Sequence, residues 1–115
     1  MICDASWPAF ILQHWVRDRT RGAKIELEAA VKMMSKEGAD LYGLGDRGSV
    51  EVGKRGDLNV IDLAAVELHL PEVIDDLPTG ASRIVQRTNG FDITICSGEV
   101  TFLNGQPTGA RPGKL

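Results

Sequence analysis

An α+β fold is predicted for this chain, with helices in its first half and a small, mainly antiparallel β-sheet or half-sandwich in its second. Three observations predict it. Apolar residues recur at helical spacing up to the glycines after Tyr42, whereas short β-prone runs punctuated by glycine take over from Asp46 onward. The length of 115 residues, with 43% hydrophobic and 25% charged residues, is that of one ordinary folded unit. This composition excludes a disordered chain, a collagen-like repeat and a low-complexity tract. A balance of 13 basic and 16 acidic residues leaves a net charge of −3, which gives no electrostatic footprint for nucleic acid or an anionic membrane. No apolar run approaches the roughly 18 residues needed to span a bilayer.

The first helix is predicted from Trp7, Phe10, Ile11, His14 and Trp15, an i, i+3, i+4, i+7, i+8 stripe. Ser6 suits the N-cap, Pro8 suits the first turn, and Gly22 ends the segment. Leu27, Ala30, Val31 and Met34 form a second stripe. Glu26 and Glu28 stand at its positive end, with Lys32 and Lys36 toward its negative end. A third helical turn is expected over Ala39–Tyr42, ending at Gly43 or Gly45. Strands are expected at Leu58–Ile61, buried on most sides, and at Ile84–Arg87, Ile93–Cys96 and Glu99–Leu103. Ser97-Gly98 would form a two-residue hairpin turn, and Asn104-Gly105 a further turn. The segment Leu68–Thr79, with two prolines and Asp75-Asp76, is expected to be a loop wrapping the sheet.

Met1-Ile2-Cys3-Asp4 introduces an acid early and Pro8 soon after, which is not the pattern of a secretory signal. Cys3 and Cys96 lie far apart, in neither zinc nor redox spacing. A reducing, cytoplasmic setting with two free thiols is expected, and a Cys3–Cys96 disulfide is the alternative. Two helices with wide apolar stripes and a few short strands with raw edges each need a partner surface. Neither half looks self-sufficient, which suits the end of a larger protein.

The run Gly43-Leu44-Gly45-Asp46-Arg47-Gly48, continued by Gly53-Lys54-Arg55-Gly56-Asp57-Leu58-Asn59-Val60-Ile61-Asp62, resembles a segment near the end of amidohydrolases. The resemblance is closer still to the N-acyl-D-amino-acid deacylase (D-aminoacylase-like) branch. Cys3-Asp4-Ala5-Ser6-Trp7-Pro8, His14-Trp15-Val16-Arg17-Asp18-Arg19, Asp76-Leu77-Pro78-Thr79-Gly80 and the tail from Thr108 to Leu115 carry it in order along nearly the whole chain. Gly56 departs from the usual alanine before Asp-Leu, and the proline common before Ala39 is missing. The resemblance implies that residues 1–45 follow the last strand of a TIM-like barrel. Residues 46–115 would form the C-terminal share of a composite β-sandwich. It further implies metal-assisted hydrolysis of a linear amide, from N-acyl-D-amino acid to carboxylate and D-amino acid, with zinc held by residues upstream.

No catalytic residue, metal ligand or cofactor contact is assigned within this chain. His14 and His69 match no ligand position, and a hydrolytic zinc needs about three converging donors. The Cys3–Asp4–His14 combination fits no recognised metal spacing. Cys3 and Asp4 are the substrate-proximal candidates, because the loop after a barrel strand lies on the face that carries the site. Arg17, Arg19 and Arg21 are read as a solvated, ion-paired face rather than an anion site. Ser6, Ser35, Ser82 and Ser97 have no base and acid beside them, so no seryl hydrolase is indicated. The implied partner is the missing barrel portion of a parent enzyme or a second copy of the chain. A stand-alone, non-catalytic binding or oligomerisation module is the alternative function.

Overall fold

A computed structural model describes residues 6–113 and shows the expected α+β order. Helix α1 (Trp7–Phe10) runs directly into a π-helical segment (Ile11–Asp18). The Ser6 carbonyl accepts the Phe10 amide at 3.0 Å, and the His14 carbonyl accepts the Arg19 amide, five residues on, at 2.8 Å. The apolar stripe is therefore present, but wound more widely than an α-helix, and it stops short of Gly22. Helix α2 (Leu27–Met34) and helix α3 (Lys36–Leu41) are separated at Ser35 (φ −124°, ψ −74°), whose hydroxyl donates back to the Val31 carbonyl at 2.6 Å. That competing side-chain bond breaks one helix into two. Gly43, at φ 68°, ends α3, and the Leu44 amide donates to the Ala39 carbonyl at 2.8 Å.

Strands β1 (Leu58–Ile61), β6 (Phe91–Cys96), β7 (Glu99–Leu103) and β8 (Gln106–Pro107) form an antiparallel sheet in the order β1-β6-β7-β8. Ser97 and Gly98 (φ 51° and 82°) close the β6–β7 hairpin, and Asn104 and Gly105 (φ 48° and 75°) close β7–β8. Both are the left-handed pairs that two-residue hairpins demand. The remaining strands make two ribbons: β2 (Glu67–Leu68) with β5 (Thr88–Asn89), and β3 (Glu72–Ile74) with β4 (Arg83–Val85). The expected wrapping loop is thus partly paired strand. Strand β1 is also not buried: it lies at the sheet edge and all four of its residues are exposed. Its apolar run states a demand for burial that nothing among the described residues meets.

Among the described residues the buried apolar side chains are Ala9, Ile11, Leu12, Ala30, Ala39 and Val66. Polar contacts join helix to strands instead. The Arg17 guanidinium donates to the carbonyls of Leu63 and Ala64 at 2.7 and 2.9 Å, and the Gln13 side-chain oxygen accepts the Leu68 amide at 2.8 Å. The chain exposes 8615 Å², whereas a closed monomer of 12.4 kDa exposes about 6,100 Å². Its radius of gyration is 15.8 Å, against about 13 Å for a compact domain of this length. Roughly 2,500 Å² of surface that a sealed domain would hide is open here.

Gly90 (φ 83°) crosses directly over the fully buried Val66, and its carbonyl accepts the Asp62 amide at 2.9 Å. A Cβ at Gly90 would stand 2.6 Å from the Val66 nitrogen. Gly90→Ala is therefore expected to lower stability by about 2–3 kcal/mol through strain and forced backbone separation. The urea midpoint would fall while the slope of the transition is kept.

Candidate functional site

The sequence-derived candidates do not converge. Cys3 and Asp4 lie outside the described residues. His14 is exposed on the π-helical segment, more open than its place beside Trp15 suggests; its ring stacks on Phe10 at 5.2 Å and meets Trp15 edge-on at 5.5 Å. Arg19 covers the Trp15 ring at 4.2 Å and donates to the Arg21 carbonyl at 2.6 Å, while Arg17 pairs with Asp18 at 2.6 Å. Arg17 and Arg19 are thus occupied by ring, carboxylate and backbone partners and do not form an anion cradle. His69 is exposed and distant in sequence from any acid–thiol pair, and Cys96 is a half-buried free thiol in β6. Among the described residues, no group of three histidine, cysteine, aspartate or glutamate side chains is placed to hold a metal ion. No helix among them is long and apolar enough to cross a membrane.

The densest polar constellation is the loop between α3 and β1. Asp46 and Arg47 form a two-pronged pair at 2.9 and 3.0 Å. Arg55 donates to the Ser97 hydroxyl at 2.7 Å, and the Asp57 carboxylate accepts the Ser97 amide at 2.7 Å. Asp57 also lies 3.5 Å from Arg55 and 3.8 Å from Arg47. The Gly98 amide donates to the Gly56 carbonyl at 2.9 Å, and a Cβ at Gly56 would press to 3.1 Å from that amide. An alanine there would require the hairpin backbone to give by a few tenths of an ångström. At the loop's other end, Gly48 (φ 89°) sits against Ala39 of α3. The whole run from Asp46 to Asp57 therefore straps the β6–β7 hairpin to the helices. Its charges neutralise one another in pairs, which suits a framework role better than substrate activation.

A second polar grouping lies in an open depression lined by Glu67, His69, Glu72 and Arg87. Arg87 pairs with Glu72 at 2.6 Å, and the His69 amide donates to the Arg87 carbonyl at 3.0 Å. Sequence reasoning missed it, because His69 and Glu72 fall within the segment expected to be loop, so the pairing that brings Arg87 beside Glu72 was not foreseen. It is wide open to water and offers no desolvated acid or base.

Electrostatics agrees with the strap reading. The hydrogen bond from Arg47 holds the Asp46 carboxyl below the usual aspartate range. Arg17 does the same for Asp18, and Arg83 for Asp76. Glu51 is lowered first by its hydrogen bond with Ser49 and then by Lys54. None of these is an acid raised toward neutrality for proton transfer. Because the folded carboxyls bind protons less readily than the unfolded ones, their contribution to stability is complete above the unfolded pKa and is lost on acidification. Thermal melts are expected to stay level from neutrality down to about pH 5 and to drop through about pH 4 and below. Asp46→Asn should flatten part of that acid limb.

Comparison with known proteins bears on the same residues. A model of the amidohydrolase family matches residues 4–102. Over 82 residues the chain is 34% identical to a protein named 5'-deoxyadenosine deaminase from Methanobrevibacter smithii, an alignment covering 69% of this chain and 18% of that relative. The chain thus spans less than a fifth of the length of the curated relative it matches. No solved structure matches.

Proposed function

The chain belongs to the amidohydrolase family, and from that premise we propose that it is the C-terminal portion of a metal-dependent hydrolase resembling N-acyl-D-amino-acid deacylase. In this reading residues 1–45 close a TIM-like barrel, and residues 46–115 supply one layer of a composite β-sandwich. The parent reaction is hydrolysis of a linear amide, from N-acyl-D-amino acid to carboxylate and D-amino acid. The observation that carries the reading is the strap from Asp46 to Asp57, in which Arg55 and Asp57 hold the β6–β7 turn at Ser97 and Gly48 packs against Ala39 of α3. The roughly 2,500 Å² of uncovered surface supports it, since a framework segment is sealed only by the body it frames.

Metals are common in this superfamily, and zinc is the ion expected of the parent. The described residues do not fit it, having no convergent donor set. The metal and the reacting groups are therefore assigned to the parent outside this chain, with Cys3 and Asp4 contributing at most to the pocket rim. The relative's name points to hydrolytic deamination, also a C–N bond cleavage, so both substrate classes belong in the assay.

The purified chain, supplied with zinc and either an N-acetyl-D-amino acid or 5'-deoxyadenosine, is expected to show no turnover above a metal-only blank. After dialysis it should retain zinc well below one equivalent. Turnover of either compound, or stoichiometric zinc, would overturn the framework role.

A further inference from the structure

We infer that Asn104-Gly105, the β7–β8 turn, is a self-modifying site at which the asparagine sheds ammonia and becomes aspartyl and isoaspartyl, while the fold holds the same dipeptide at Asn89-Gly90 unreactive. The reaction consumes water and needs no other partner. Solvent hydroxide takes the proton of the Gly105 backbone nitrogen, which attacks Asn104 Cγ. The Cγ–Nδ2 bond breaks, and Nδ2 takes a proton back from water and leaves as ammonia. A cyclic imide remains, and water opens it. Cleavage of the imide nitrogen's bond to Cγ gives aspartate. Cleavage of its bond to the main-chain carbonyl carbon of residue 104 gives isoaspartate, whose backbone runs through Cβ.

In both dipeptides the attacking nitrogen belongs to a glycine, so no side chain crowds it. Their surroundings separate them. Asn104 and Gly105 are exposed, and nothing lies within 4 Å of the position that a Cβ at Gly105 would take. Among the described residues the Gly105 amide donates to no acceptor, so its nitrogen gives up no hydrogen bond when it attacks. Ring closure rotates the peptide that follows Asn104. The cost falls on the pairing of Leu103 with Gln106, and β8 is an edge strand of two residues ending on Pro107. Short edge elements open at little cost.

Asn89-Gly90 lacks these freedoms. Asn89 stands opposite Glu67 in the β2–β5 ribbon, and Gly90 is half-buried. The Gly90 backbone presses on the fully buried Val66, so closely that a Cβ there would stand 2.6 Å from the Val66 nitrogen. The Gly90 carbonyl also accepts the Asp62 amide at 2.9 Å. Rotating this peptide means lifting the chain off Val66 and losing that bond. At the reactive step the product disturbs its own turn. The Asn104 amide donates to the Asp92 carbonyl at 2.7 Å, and both residues border one small depression, into which modification brings a second carboxylate. The isoaspartyl form adds a backbone carbon that a two-residue turn does not accommodate. Modification therefore loosens β8 and the bonds from the Thr108 hydroxyl to the carbonyls of Val100 and Thr101.

This inference does not rest on the amidohydrolase reading. Its test incubates the folded 115-residue chain at mildly alkaline pH beside the same chain in urea. Proteolysis after Glu99 puts the two Asn-Gly steps on different peptides. Mass spectrometry then follows the change of side-chain NH2 to OH on each, and isoaspartyl methyltransferase reports the isoaspartyl share. In the folded chain Asn104 is expected to convert about tenfold faster than Asn89 or more, because the two steps differ in opening cost. In urea the two rates should converge. Asn104→Asp should abolish the mass gain on the C-terminal peptide and keep the wild-type far-UV spectrum, since Asp-Gly suits the same turn. Asn89→Asp should leave the conversion of Asn104 unchanged. Conversion of Asn89 as fast as Asn104 in the folded chain, no conversion at Asn104, or a preference for Asn104 that persists undiminished in urea overturns the inference.

Discussion

Shortage of buried apolar surface governs this structure. A domain of this size ordinarily offsets the entropy of ordering its chain by sealing one core. Among the described residues, the sheltered apolar side chains are three alanines and three larger aliphatics, while leucines, valines and aromatics of both helices and sheet face outward. Each element is correctly patterned, yet each is finished on only one side. The helices display Trp7, Phe10, Val31 and Met33, and the sheet displays Leu58, Val60 and Leu103.

What joins the halves is mostly polar. Arg17 reaches from the π-helical segment to backbone carbonyls of the turn before β2, Gln13 accepts the Leu68 amide of β2, and Asp57 and Arg55 hold the hairpin turn at Ser97. Such contacts fix orientation well but add little net stability when water can reach them. In the proposed reading, such contacts define where surfaces stand relative to one another and their covering falls to the rest of the parent enzyme. The chain belongs to the amidohydrolase family, and among its described residues no three donor side chains converge to hold a metal ion.

Legibility followed the range of the interaction that decides each feature. Gly43, Ser97-Gly98 and Asn104-Gly105 were readable because positive φ is a requirement of the residue itself. The helical stripe was readable, but its π winding was not, since apolar spacing does not distinguish hydrogen bonds to the fourth residue from those to the fifth. Strand β1 was placed correctly and its burial was not, because an apolar run encodes a need and not its fulfilment. Strand β4 was foreseen near Ile84, but its partner β3 was hidden by prolines and acids that ordinarily signal loop. At the candidate site, the importance of the Asp46–Asp57 run was visible through resemblance alone. The long-range partners of Arg17 are backbone carbonyls, which leave no trace in sequence.

The account stands on incomplete burial, and the heat-capacity change on unfolding reads burial directly. Calorimetry on the chain, diluted below any self-association, should give a value clearly under the about 12–15 cal/mol/K per residue typical of closed domains. A full value, about 1.4–1.7 kcal/mol/K for a chain of this length, would show that the chain seals a core of its own and would contradict the account.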